Sequence, residues 1–254
     1  MAEKQRYFLE LAYRGTAFHG WQKQPHSETV QGKIEEMLGM ILRTETEVIG
    51  CGRTDTGVHA SRYFAHFDAV LNLEPEILLQ KLNSLAAPNI GFRSLKAVGA
   101  EAHSRFNASQ RQYRYRLHFG HNPFLHGLSW RCHFKELDPG LMQEGASALL
   151  EFEDFASFCK TNSDVKTTLC KLYHSQWEFG DDEWHYVIRA NRFLRGMVRL
   201  ITGSLLDLGR GKISMEDFKA GIAAGERFHQ AASVPPEGLY LEEVIYPDDL
   251  WTRH

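Results

Sequence analysis

No stretch of this chain approaches the roughly 18 consecutive apolar residues that mark a membrane-spanning helix, so none is expected. The opening run Met1-Ala2-Glu3-Lys4-Gln5-Arg6 also lacks the apolar segment of a signal peptide. Cysteine is scarce. Cys51, Cys132, Cys159 and Cys170 form no Cys-x-x-Cys pair and have no nearby histidine pattern. This spacing argues against a zinc site and predicts reduced thiols in a cytoplasmic protein. The 13 histidines include no His-Glu-x-x-His run. There is no Walker loop, no Gly-x-Gly-x-x-Gly after a strand and no Gly-x-Ser-x-Gly elbow, so any chemistry rests on side chains. A large charge excess is missing too: the net charge of −3 argues against a general polyanion binder but allows a localised basic groove.

What is present is ample core material. At 43% hydrophobic and 24% charged, 254 residues suit one large domain or two small ones. Tyr7, Leu9, Leu11 and Tyr13 alternate as in a half-buried strand, and Val30, Ile34, Met37, Leu38, Ile41 and Leu42 follow helical spacing. A short strand at Val48-Ile49, a strand through Tyr63, Ala65 and Phe67, a helix from about Pro75 to Leu85 and a strand over Phe92–Val98 follow. Asn72 is a candidate cap for that helix. The order is β-α-β-β-α-β, the split arrangement of ferredoxin-like domains.

The remainder repeats this order loosely. Tyr113, Tyr115, Leu117 and Phe119 share one strand face, with Arg114, Arg116 and His118 on the other. Asp138-Pro139 opens a helix through Leu150, and Gly180-Asp181-Asp182 separates two strands as a hairpin signal. A long helix is expected from Phe193 to about Leu208, a shorter one near Met215, and a last strand over Leu239–Tyr246. The expectation is an α+β fold of two ferredoxin-like halves, residues 1–104 and 105–254, whose antiparallel sheets form a central cleft.

The run Gly50-Cys51-Gly52-Arg53-Thr54-Asp55-Thr56-Gly57-Val58-His59-Ala60 carries one carboxylate in a turn that Gly52 and Gly57 make permissive. An aspartate that merely caps its turn is as good a reading of Asp55 alone as a catalytic one. Asp55-Thr56-Gly57 also spells the aspartic-protease triplet. That chemistry needs two carboxylates, and one copy on a polar, Gly-containing approach makes a poor match.

Tyr113 on pattern alone reads as a core residue. Around it stand Arg105, Arg111, Arg114 and Arg116, and cations interleaved with rings suit a polynucleotide as well as a solvated face. On the expected helix from Phe193, Phe193, Met197, Val198, Ile201, Leu205 and Leu208 form an apolar stripe, with Arg192, Arg195 and Arg199 roughly opposite. Like charges at that spacing are mildly destabilising, which points to an anionic partner, phosphate or carboxylate.

With these residues in view, the chain closely resembles the TruA-type tRNA pseudouridine synthases over nearly its whole length. The likeness includes Tyr13 to Pro25, Thr29-Val30-Gln31-Gly32, Gly52 to Ala60, Arg105-Phe106, Arg111 to Tyr115, Asn191 to Arg199 and Glu237-Gly238-Leu239-Tyr240-Leu241. Arg14 stands where that family usually has an acid, and Thr56 where it has alanine. The resemblance implies that Asp55 is the nucleophile, that Tyr113 stacks on the target base and that Arg199 pairs with Asp55. It implies a cofactor-free homodimer acting on uridine at tRNA positions 38 to 40 in the anticodon arm, with neither DNA nor a membrane as partner. Arg53, Arg105, Arg111, Arg114 and Arg195 are the candidate substrate-binding cations. The carboxylate could attack the sugar, attack the base ring or remove a sugar proton, and the sequence does not choose. A non-catalytic tRNA-binding module is the competing reading, which the joint presence of Asp55, Tyr113 and Arg199 disfavours.

Overall fold

The computed structural model describes residues 3–86, 88–159, 166–225 and 233–251. Along the chain come β1 (Gln5–Tyr13), α1 (Val30–Leu42), β2 (Ile49–Gly50), β3 (His59–Ala69), α2 (Pro75–Ala86) and β4 (Ile90–Val98). Then follow β5 (Gln110–His118), β6 (Trp130–Arg131), α3 (Pro139–Ala148), β7 (Leu172–Phe179), β8 (Glu183–Ala190), α4 (Met197–Gly209), α5 (Met215–Ala224) and β9 (Leu239–Ile245). β1 pairs antiparallel with β3 and β4, β2 with β3, and β8 with β5 and β7, while β5 and β6 run parallel. The architecture is α+β with largely antiparallel pairing. Two units result: Met1–Ser109 with Leu241–His254, and Gln110–Tyr240. Most of β9 thereby joins the first unit, although element order alone groups it with the C-terminal half.

In unit 1 the strand order is β4-β1-β3-β9. The alternation in β1 holds in part: Leu9, Leu11 and Tyr13 are buried, but Tyr7 is half-buried and Phe8 between them is buried as well, so the strand is covered on both faces there. α1 buries Val30, Ile34, Met37 and Leu38 of the expected stripe, while Ile41 and Leu42 at its end are half-buried, and Thr29 caps it by accepting from Gly32 N. α2 buries Leu78, Leu82 and Ala86. Its first turn bonds back to Glu74, from Ile77 N and Leu78 N, so Asn72 lies too far upstream to cap it. Proline at the first helical position needs no donor there, which sets the start at Pro75.

In unit 2 the order is β5-β8-β7. Asp138 caps α3 by accepting from Leu141 N at 3.0 Å, with Pro139 next. The predicted helix to Leu150 ends at Ala148, its tail tightening into a 3-10 turn over Leu149–Glu151. The larger correction concerns α4. It starts at Met197 instead of Phe193, because Gly196 takes a left-handed φ of 74°. Arg192 and Arg195 therefore lie in the preceding segment and are not helical neighbours of Arg199. Every α4 residue except Arg199 is buried, including Gly203, so there is no polar face of three arginines.

His66 on β3 is buried and stacks on Phe8 with ring centroids 5.8 Å apart. Its Nδ1 lies 2.8 Å from Ser104 Oγ and accepts from Ser104 N at 3.2 Å, and Ser104 Oγ reaches Ile49 O at 2.8 Å. Burial first, then the charges of His103 and Arg6, push its pKa down to about 4, against a raising influence from Asp68. The native state thus holds His66 neutral where the unfolded chain binds a proton. This stabilisation is present above about pH 6.5 and is lost as pH falls toward 4, at about 1.4 kcal/mol per pH unit. In urea titrations across that window, His66→Asn is expected to show a pH dependence shallower than wild type by about one proton.

Candidate active site

Asp55 is half-buried on the turn between β2 and β3. Val58 N donates to Asp55 O at 3.1 Å, and Gly57 adopts φ +81° at the third position, as a type II turn requires. Gly52 has no positive φ, and a Cβ added to it would meet nothing within 4 Å, so the turn depends on Gly57 and not on Gly52. Arg53 is exposed.

The segment before Asp55 is clamped from three sides. Thr54 is buried, its Oγ1 bonds Tyr13 Oη at 2.8 Å, and its carbonyl accepts from Trp21 N at 3.2 Å. Gly20 has φ +85°, and a Cβ there would sit 2.5 Å from Thr54 O. Trp21 stacks on Tyr63 at 4.1 Å, Tyr13 meets the same ring edge-on at 5.5 Å, and Tyr63 Oη donates to Gly52 O. His59 Nδ1, past the turn, accepts from Gly15 N at 3.1 Å. Gln31 ties in the start of α1: its Oε1 accepts from Lys23 N at 2.9 Å and its Nε2 donates to Val48 O at 3.0 Å. Tyr13, Gly20, Trp21 and Gln31 carry no catalytic signal in the sequence, yet they build the platform. The available clue is their membership in the Tyr13–Pro25 and Thr29–Gly32 motifs.

The other candidates divide by unit. Arg105 belongs to unit 1, and Tyr113, Arg111, Arg114, Arg195 and Arg199 to unit 2. Tyr113 on β5 is half-buried and meets Phe193 edge-on at 5.1 Å. It stands where the buried face formed by Tyr115 and Leu117 emerges, which is why a core reading fits only in part. Arg111 donates to Asn191 O at 3.1 Å, while Asn191 Oδ1 accepts from both Lys171 N and Arg192 N at 2.8 Å. Arg195 is exposed just before Gly196.

Arg199 is oriented by its own backbone neighbourhood. Its Nε donates to Val234 O at 2.7 Å, and Val234 N donates to Arg199 O at 3.3 Å. The next residue, Pro235, accepts from Tyr115 Oη at 2.9 Å, so the Arg199 guanidinium is tied to β5 two residues beyond Tyr113. Burial, with Glu237 adding to it, pushes the Tyr115 hydroxyl well up and keeps it protonated. Arg114 makes an ion pair with Glu178 and lies 3.3 Å from His185 Nδ1. The bond from Arg114 holds the Glu178 carboxyl below its usual range.

Among the described residues no group of three or more His, Cys, Asp or Glu could hold a metal ion. Cys132 and Cys170 are buried, and burial pushes the Cys170 thiol up to about 11, which keeps it out of nucleophilic chemistry at neutral pH. No described helix is long and apolar enough to cross a membrane.

A family model described as tRNA pseudouridine synthase matches residues 147–247. The tRNA pseudouridine synthase A of Bacteroides thetaiotaomicron is 43% identical over 252 residues, covering 98% of this chain and 93% of that protein. The chain belongs to the tRNA pseudouridine synthase A family. Proteins of the same name from Bacteroides fragilis (43% identity, 97% of this chain and 98% of that protein) and Bacillus pumilus (36%, 93% and 97%) agree.

The platform predicts a contrast between two glycines of this family member. Gly20→Ala combines a left-handed backbone with a collision at Thr54 O and is expected to cost roughly 1–3 kcal/mol and to depress activity. Gly52→Ala is expected to stay within about 0.5 kcal/mol of wild type. Urea denaturation of both variants checks this, and equal losses would remove the special role of the Gly20 contact.

Proposed function

We propose that this chain isomerises uridine to pseudouridine at tRNA positions 38 to 40 of the anticodon stem-loop, as a cytoplasmic homodimer of two ferredoxin-like halves, without a cofactor. Asp55 is the nucleophile, Tyr113 the ring that receives the target base and Arg199 the cation that pairs with the carboxylate. The observation that carries this reading is the Asp55 turn: a half-buried carboxylate presented on backbone that Tyr13, Trp21 and Tyr63 immobilise. Preorganisation of this kind is what a reaction without a cofactor requires.

The reaction breaks the N1–C1′ bond, turns the uracil and bonds its C5 to C1′, with the C5 proton leaving at the end. The base must first leave its stack, at a cost of a few kcal/mol, and an aromatic face such as Tyr113 returns roughly 1–3 kcal/mol. A guanidinium within about 4–6 Å of a carboxylate favours its charged form and opposes the rise that desolvation causes. Arg53, Arg105, Arg111, Arg114 and Arg195 contact phosphates. At Arg114 the phosphate competes with Glu178, which already holds the guanidinium.

Asp55→Asn is expected to retain tRNA binding and to lose pseudouridine formation, measured on a transcript by chemical mapping. Wild-type turnover by that variant would remove the nucleophile assignment. Arg111→Ala and Arg195→Ala are each expected to weaken binding and lower the slope of log K against log salt by about one. Glu178→Gln, which removes the ion pair with Arg114, is expected to tighten binding, and a weaker complex would mean that the ion pair itself is what the RNA needs.

A further inference from the structure

We infer that Phe106 is a stacking seat for an unpaired base of the RNA substrate, backed by His103 and with Arg105 beside it for the adjoining phosphate. The inference deepens the reading of a tRNA-modifying enzyme and rests on it.

Phe106 is 74% exposed, so it forgoes the stabilisation that burial of a phenylalanine provides. Its turn is nevertheless rigid. His103 N donates to Asn107 Oδ1 at 2.6 Å, and Asn107 N returns a bond to His103 O at 3.0 Å. His103 Nδ1 accepts from Arg105 N at 3.1 Å and from Phe106 N at 3.4 Å. That acceptor role needs a neutral imidazole, and burial together with Arg6 and Arg105 lowers the His103 pKa accordingly. Below the turn, Ser104 is fully buried, Tyr246 Oη donates to its carbonyl, and Arg6 Nη1 donates to Ala102 O at 3.0 Å.

The rings form a short chain of edge-on and tilted contacts from buried His66 to exposed Phe106. His66 lies 4.6 Å from His103, and His103 lies 4.2 Å from Phe106 at an interplanar angle of 36°. The Arg105 guanidinium carbon lies over the Phe106 ring, 5.8 Å from its centroid. An aromatic ring beside a cation fits a nucleobase and its phosphate, because every base offers a π-face and single-stranded RNA presents it. The seat is formed before binding, so little ordering cost opposes the contact.

The surroundings favour RNA over a second copy of the chain. Glu101, Arg105, Asn107 and Ser109, all within five residues of Phe106 along the chain, are exposed, whereas the centre of a protein–protein contact is depleted in charge.

The test uses the full chain with an unmodified tRNA transcript, reading Kd, KM and sedimentation for Phe106→Ala, Phe106→Leu and Phe106→Trp, with thermal melting as a folding control. Phe106→Ala and Phe106→Leu are expected to raise Kd and KM roughly 5- to 100-fold, and Phe106→Trp to stay near wild type. Sedimentation and melting are expected to be unchanged. An unaltered Kd in Phe106→Ala overturns the inference, as does rescue by leucine, which would indicate apolar packing without stacking. A changed oligomeric state in Phe106→Ala overturns it in favour of a contact between copies. Pseudouridine formation by the wild-type chain in the same assay checks the enzyme reading separately.

Discussion

The backbone that presents Asp55 is held at the carbonyl of Thr54. It accepts from Trp21 N at 3.2 Å, and the approach is open only because residue 20 has no side chain. The Trp21 indole then stacks on Tyr63, whose hydroxyl holds Gly52, while Tyr13 takes the Thr54 hydroxyl. One residue further on is Asp55. An exposed aspartate on a free loop would sample many directions. Here the preceding peptide is bonded on both its carbonyl and its side chain, so the carboxylate inherits a fixed origin.

Unit 2 solves the corresponding problem for a cation by a longer route. Arg199 lies in the first turn of α4, a helix buried on almost all sides, and its guanidinium is aimed by Val234 O. The neighbouring Pro235 takes the Tyr115 hydroxyl, and Tyr115 sits on the strand that carries Tyr113. Buried helix, loop and strand are thus connected by directional bonds, which hold a long arginine side chain to few rotamers. Arg114 contrasts with it. Its ion-pair partner Glu178 is 52% exposed, and a pair open to solvent on one side contributes little.

Several elements were legible from residue pattern. Most of the α1 stripe, part of the β1 alternation, the Asp138-Pro139 helix start and the hairpin at Gly180-Asp181-Asp182 all reflect local rules that the fold obeys. The failures also have local causes. A glycine at positive φ overrode helical periodicity at Gly196, so three arginines that share a helix face on paper do not lie on one helix. Asn72 has the chemistry of a cap, but the backbone bonds to Glu74 set the helix start two residues later. Gly52 looked necessary beside Asp55, yet only Gly57 uses the freedom that glycine offers.

The α+β class, the positions of most elements, the family and the stretch around Asp55 as the place to look for chemistry can be read from the order of residues. These rest on periodicity, turn residues and ordered motifs, all of which are written along the chain. Tertiary structure alone decided why the motif at Tyr13–Pro25 matters to a carboxylate some thirty residues away, and which arginines are engaged before any RNA arrives. Clasps of this kind depend on close approach between distant backbones, on a missing Cβ and on which acceptor lies nearest. No spacing rule in one dimension encodes those quantities.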